Sequence, residues 1–340
     1  MGSARQCKRM KFYRTRSIFA VCFAVMICLG NSSDAEEVII PAIKGTVNLI
    51  LNYGEGREAG QVCIRQQDEV WLVSARCSHP CSNDLTRLSV SKLANGSWTQ
   101  SDLSELVMSH QTDQSRSTVL HVHGWRADHT TSVRQTMDIY KNVTTKRPCT
   151  KPLRWVLWQW RSDKDNLRFR TDYIEKSKLA LSLGTTLSAT LAEFGDRNLT
   201  LIGHSLGNTV ILAAMMKPTT LPVTDSGYRL AIVGAAIGCD FVKCLAQHQN
   251  CMVAQIDETV VINNLCDPVL RVGNQLICRQ SYGRKRLDLA NIVSQRRIAL
   301  GNVCWREAHD EIGPRHDGKF YTASNTFLSE FSRLLNTTTR

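Results

Sequence analysis

The residues best placed to do chemistry are Gly203-His204-Ser205-Leu206-Gly207, a serine with a glycine two positions away on either side. A β-rich apolar run, Leu199-Thr200-Leu201-Ile202, leads into it, and Asn208 to Met216 follows as a helical run that Pro218 stops. Strand, sharp turn and helix in that order form a nucleophile elbow. The turn forces strained backbone angles on the serine, so its neighbours must be small. Its hydroxyl is then exposed at a helix N-terminus, where backbone N–H groups and the helix dipole favour developing negative charge.

A serine hydroxyl is a poor nucleophile until an oriented base takes its proton. With an elbow of this kind the partners are expected in the order serine, acid, histidine. Asp267 lies just past the strand-like run Val260-Val261-Ile262, and carboxyl ends of parallel strands collect functional groups. Asp240, after the preceding apolar run, is the alternative acid. Two histidines compete as base. His316, in the Gly/Pro-bounded stretch Pro314-Arg315-His316-Asp317-Gly318, is preferred over His309 in Glu307-Ala308-His309-Asp310. The expected oxyanion donors are the backbone N–H of Leu206 and that of Trp125, in His123-Gly124-Trp125 at the end of an early strand. Trp125 would also wall an acyl pocket.

The elements that position these groups follow from periodicity. From residue 115 onward, short apolar strands alternate with helical stretches, the pattern of a mostly parallel sheet flanked by helices, an α/β class. Strands are expected at 118–122, 155–160, 199–202, 230–236 and 260–262, and helices at 131–140 and 171–195. The longer helix sets Ala180, Leu183, Leu187, Leu191 and Phe194 on one face. Phe327, Phe331 and Leu334 mark a closing amphipathic helix. Residues 36–110 read as a small β-rich N-terminal extension, with strands at 46–51, 61–64 and 70–74, a turn at Asn95-Gly96 and a short helix near 101–109. The catalytic domain is then expected over 111–340.

Composition narrows the class. At 340 residues with 43% apolar content the chain can bury one large core. Six basic residues precede an apolar run from Ile18 to Leu29, and Ser33-Asp34-Ala35 supplies small residues at −3 and −1. This predicts a signal peptide over 1–35 and export to a periplasm or the exterior, with an uncleaved N-terminal anchor as the alternative. Cleavage lowers the net charge from +12 to +7, leaving 36 basic and 29 acidic side chains in short clusters without a nucleic-acid-binding motif. Ten cysteines remain after position 35, an even number that in an oxidising compartment suggests up to five disulfides. No metal or other cofactor is expected. Cys77-Ser78-His79-Pro80-Cys81, the group Cys239, Cys244, His248 and Cys251, and the trio His121, His123 and His129 all lack a recognised ligand spacing.

Taken together, Val122-His123-Gly124, Trp160-Arg161-Ser162, Gly203-His204-Ser205-Leu206-Gly207-Asn208 and Asn264-Leu265-Cys266-Asp267-Pro268-Val269-Leu270 carry a resemblance. Over roughly 117–335 the chain resembles bacterial α/β-hydrolases of a poorly characterised esterase/lipase-like family. It departs from their pattern at Arg161, where a proline is common, and in the cysteine-rich stretch 239–304. The resemblance implies an α/β-hydrolase fold and a cofactor-free serine hydrolase acting on a small-molecule or lipid ester. Two alternatives stand beside it: a non-catalytic binding protein on the same scaffold, and a hydrolase of amides or thioesters, which the same machinery serves.

Overall fold

The structure, a computed structural model, describes residues 46–51, 60–79, 81–146, 151–165, 168–195, 198–218, 227–235, 251–264, 266–270 and 302–336. The expected signal segment and Asp240 lie outside them, as does most of the cysteine-rich stretch.

Two strands, β1 (Thr46–Leu51) and β2 (Gly60–Arg65), pair as a small two-stranded sheet. Nine more strands build the main one: β3 (Glu69–Ser74), β4 (Ser89–Ala94), β5 (Ser97–Ser101), β6 (Ser117–Val122), β7 (Leu153–Gln159), β8 (Leu199–His204), β9 (Tyr228–Val233), β10 (Ile256–Asn263) and β11 (Asn302–Glu307). Their order is β11-β10-β9-β8-β6-β7-β3-β4-β5. Every pairing from β11 to β3 is parallel, and β4 runs antiparallel to both of its neighbours. The β-rich N-terminal extension therefore divides. Part of it stands as the small sheet, and part continues the main sheet beyond β7. Asn95-Gly96 turns the β4–β5 hairpin with both residues at positive φ, 53° and 84°, as a two-residue turn matched to strand twist requires.

The helices are α1 (Leu103–Thr112), α2 (His129–Thr145), α3 (Phe169–Glu193), α4 (Leu206–Met215), α5 (His309–Ile312), α6 (Gly318–Thr322) and α7 (Asn325–Asn336). Local chemistry sets their starts. Asp102 and Asp128 each accept a backbone N–H from the first turn, at 2.8 Å from Glu105 and 2.7 Å from Thr131, and so begin α1 and α2.

Connection handedness sets the layers. The step from β6 to β7 runs one way along the sheet, and the steps from β7 to β8 and β8 to β9 run the other. Right-handed crossovers therefore place α2 on one face and α3 with α4 on the opposite face. The packing agrees: α3 lies against α4, and α2 lies against α6 and α7. Strands β7, β8 and β9 are buried along their whole length, as a sheet covered on both faces demands. Ala180, Leu183, Leu187, Leu191 and Phe194 all enter the core, as do Phe327, Phe331 and Leu334. The arrangement is an α/β-hydrolase fold, a mostly parallel sheet between helical layers.

Cys77, Cys81, Cys251, Cys266 and Cys304 are free thiols, so the expected bridges do not form among these five. Among the described residues no helix is long and apolar enough to cross a membrane.

Candidate active site

The sheet order reverses between β6 and β8, because β7 lies on the far side of β6 and β9 to β11 lie beyond β8. Such a switch point opens a crevice at the carboxyl ends of the two strands. His123-Gly124-Trp125 leaves β6 there and Ser205 leaves β8.

Ser205 takes φ 53° and ψ −122°, an unfavourable conformation for a residue with a side chain. Close packing accounts for the glycine at 207. A Cβ there would lie 2.2 Å from the Val122 carbonyl oxygen and 2.7 Å from that of His123, so any side chain would push α4 away from the β6 loop. Asn208 secures the turn from inside, its Nδ2 donating to the carbonyls of Val233 at 2.9 Å and Ser205 at 3.2 Å. Gly124 brings the β6 loop against the serine, since a Cβ on it would sit 3.0 Å from Ser205 Cβ.

Ser205 Oγ lies 2.9 Å from His316 Nε2, and His316 Nδ1 lies 2.6 Å from Asp267 Oδ2. The structure thus brings together residues 111 and 49 positions apart in the chain. His309 is elsewhere, with ring nitrogens 3.5 Å from Glu307 and 3.5 Å from Asp310. Asp267 follows β10, is fully buried, and accepts four hydrogen bonds. Oδ1 takes the backbone N–H groups of Val269 at 2.9 Å and Leu270 at 3.1 Å, while Oδ2 takes His316 and the Tyr321 hydroxyl, at 2.6 Å each. Burial pushes this carboxyl upward, but the hydrogen bond and charge of His316, with the Tyr321 and Leu270 donors, outweigh it and hold the pKa below its ordinary value. Burial and the Asp267 charge raise Tyr321, so its hydroxyl keeps its proton and remains a donor.

The His316 loop is pinned at three carbonyls. Asn264 Nδ2 donates to Gly313 O at 2.8 Å and Arg315 O at 3.3 Å, and His204 Nε2 lies 2.8 Å from His316 O. A carbonyl only accepts, so His204 carries its proton on Nε2. Burial and the neighbouring His316 lower its pKa to about 4, which keeps it neutral. Sequence reasoning missed Tyr321, Asn264 and His204, whose partners lie far away in the chain and leave no spacing signal.

Leu206 is the first residue of α4, where a backbone N–H has no intrahelical acceptor. On the opposite wall, the N–H groups of Arg126 and Ala127 donate to Ser162 O at 2.8 Å and Oγ at 3.1 Å, which fixes the path of the loop that carries Trp125. The Trp125 indole turns toward α3, donating Nε1–H to Asp172 at 3.0 Å and meeting Phe169 and Tyr173 edge-on. Arg126 stacks over that indole at 4.4 Å.

The three candidate metal-binding histidines face separate partners: His121 Thr136, His123 the Gly124 carbonyl and the Trp160 N–H, and His129 Gln159. Among the described residues no group of three or more His, Cys, Asp or Glu side chains is arranged to hold a metal ion.

No protein-family model and no curated protein matches the chain. Among solved structures it is similar to a predicted CIB-like hydrolase from Thermoplasma acidophilum, at 12% identity and TM-score 0.36, over 73% of this chain and 91% of that one. It is also similar to TT1662 from Thermus thermophilus, at 11% identity and TM-score 0.37, over 74% and 94%. Likenesses this remote assign no role to any residue.

Proposed function

We propose that the chain is a serine hydrolase that cleaves carboxylic esters through an acyl-enzyme. The observation that carries this reading is the continuous relay from Ser205 Oγ through His316 to Asp267, at 2.9 Å and 2.6 Å. Ser205 Oγ attacks the ester carbonyl carbon while its proton passes to His316 Nε2. His316 Nδ1–H stays bonded to the Asp267 carboxylate, which stabilises the imidazolium without taking its proton. The oxyanion is held by the N–H groups of Leu206 and Trp125. Collapse expels the alcohol, which leaves with the proton from His316 Nε2. Water then attacks the acyl-serine with His316 again as base, releasing the acid and restoring the hydroxyl.

Resemblance to esterase/lipase-like enzymes favours esters over amides and thioesters, and the N-terminal basic and apolar run supports export. The substrate is a small-molecule or lipid ester. Fluorophosphonate labelling of the purified protein, beside Ser205→Ala, tests the reading. Labelling and ester turnover should both vanish in the variant while its fold persists. A folded wild type that neither labels nor turns over would favour the binding-protein alternative.

A further inference from the structure

A cavity of about 550 Å3 opens at the carboxyl ends of β3 and β7, on the same edge of the sheet as Ser205. Leu179 and Leu183 of α3 give it an apolar part, while Arg76, Arg87, Arg161 and Lys176 line the rest, with Asp165 as the one carboxylate among them. Two of the cations are firmly engaged. Arg76 grips Asp163 through both carboxylate oxygens at 2.7 and 2.6 Å, and Lys176, its side chain 4% exposed, is paired with Asp165. The other two are loosely held. Arg161 reaches Asp165 only at 4.0 Å and is 64% exposed, and Arg87 reaches Asp84 at 3.7 Å and is 58% exposed. Exposed pairs of that length contribute little, so both guanidinium groups are available to an incoming anion. Four cations against three carboxylates also leave the cavity net positive.

A chain of contacts links the cavity to the candidate active site. Asp165 N–H lies 3.4 Å from the Asp172 carboxylate, which also accepts the Trp125 indole N–H, and the preceding residue, Gly124, abuts Ser205. From β8 through β6 and β7 to β3 is three strand spacings, about 14 Å.

On the reading of Ser205 as an ester hydrolase's nucleophile, we infer that this cavity receives an anionic group (carboxylate, sulfate or phosphate) carried by the substrate about 14 Å from the scissile ester. Arg161 and Arg87 are its ligands, and Leu179, partly buried beside them, offers the apolar contact. Arg161, the departure from the resembled family's pattern, thereby acquires a role in substrate choice.

Two substrates isolate the charge: mono-p-nitrophenyl dodecanedioate and its ω-carboxamide, equal in length and differing by one negative charge. For the full chain, kcat/KM should favour the acid by roughly tenfold or more, expressed in KM, as a charge-assisted contact supplies. That ratio should fall toward one in Arg161→Gln combined with Arg87→Gln, and in high salt. Equal kcat/KM for the two esters, or a preference that survives both substitutions, overturns the inference. Calorimetric titration of the Ser205→Ala chain with dodecanedioic acid monoamide reads the cavity without turnover. Binding about tenfold weaker in the double arginine variant supports the inference, and binding indifferent to both arginines refutes it. Loss of fluorophosphonate labelling, by contrast, would count against the nucleophile alone.

Discussion

Tyr321→Phe removes one oxygen from the interior and leaves the ring in place. That oxygen donates to Asp267 Oδ2 at 2.6 Å, within the range of charge-assisted O–H···O⁻ bonds, and tyrosine and carboxylate are both fully buried. Hydrogen bonds to charged groups contribute about 1.5–3 kcal/mol. Three donors to Asp267 survive, from His316, Val269 and Leu270, so the lower half of that range applies, about 1.5–2 kcal/mol. Some of it should appear as protonation behaviour. Without the hydroxyl, Asp267 moves back up toward its ordinary pKa, and its carboxylate, relieved of one donor, pulls harder on His316 Nδ1–H. Urea denaturation at pH 8 gives the stability loss, and a double-mutant cycle with Asp267→Ala gives the part owed to this pair. A coupling below about 0.5 kcal/mol would show that Tyr321 merely packs there.

Three further outcomes follow from the same geometry. His316→Ala should lower kcat by about 10⁴-fold or more, as loss of a triad base does, while His309→Ala should stay near wild type in the same ester assay; the reverse pattern would reassign the base. Gly207→Ala places a Cβ 2.2 Å from the Val122 carbonyl oxygen, a backbone atom that cannot yield cheaply. Thermal unfolding should register about 1–3 kcal/mol of lost stability, with fluorophosphonate labelling diminished, and an unchanged Tm would contradict this packing of the elbow. Acid should weaken the fold well above the carboxylate range. Burial lowers His123 and His204 to about 4, so both are neutral in the native state, whereas in the unfolded chain they take up protons once the pH drops below about 6.5. Their contribution is complete above that value and is lost as pH falls toward 4, about 3 kcal/mol for each. Denaturant midpoints equal at pH 7 and 4.5 would refute it.

Sequence periodicity anticipates much of this fold because the central strands are buried on both faces and read as mostly apolar runs. The elbow is legible for a related reason, since close approach of α4 to β6 leaves room only for glycine at 207. Asp267 is legible by its place just past β10. The edge strand β11 is not, because Asn302-Val303-Cys304-Trp305-Arg306-Glu307 alternates only weakly and sits in a cysteine-rich setting. Spacing could not rank His309 against His316, which lie seven residues apart, the first opening α5 and the second in the loop after it. What separates them is Asn264 and His204 holding the second loop by its carbonyls, contacts spanning 49 to 112 residues.

These holding contacts have a consequence for specificity. Asp267 accepts four hydrogen bonds, the His316 loop is fastened at three carbonyls, and Asn208 ties the elbow to β9. On the proposed reading, a relay held this firmly would perform the same proton transfers for any acyl group presented to it, so discrimination would arise where the walls are less committed. The α3 side provides that. Trp125 and Arg126 stack there on the loop that follows β6, and beyond them Arg161 and Arg87 extend into solvent with weak partners. Differences in substrate among chains with this relay are therefore expected to map to residues 76–87, 125–126 and 161–183, and substitutions in those segments should change KM ratios between esters more than they change reactivity toward fluorophosphonate.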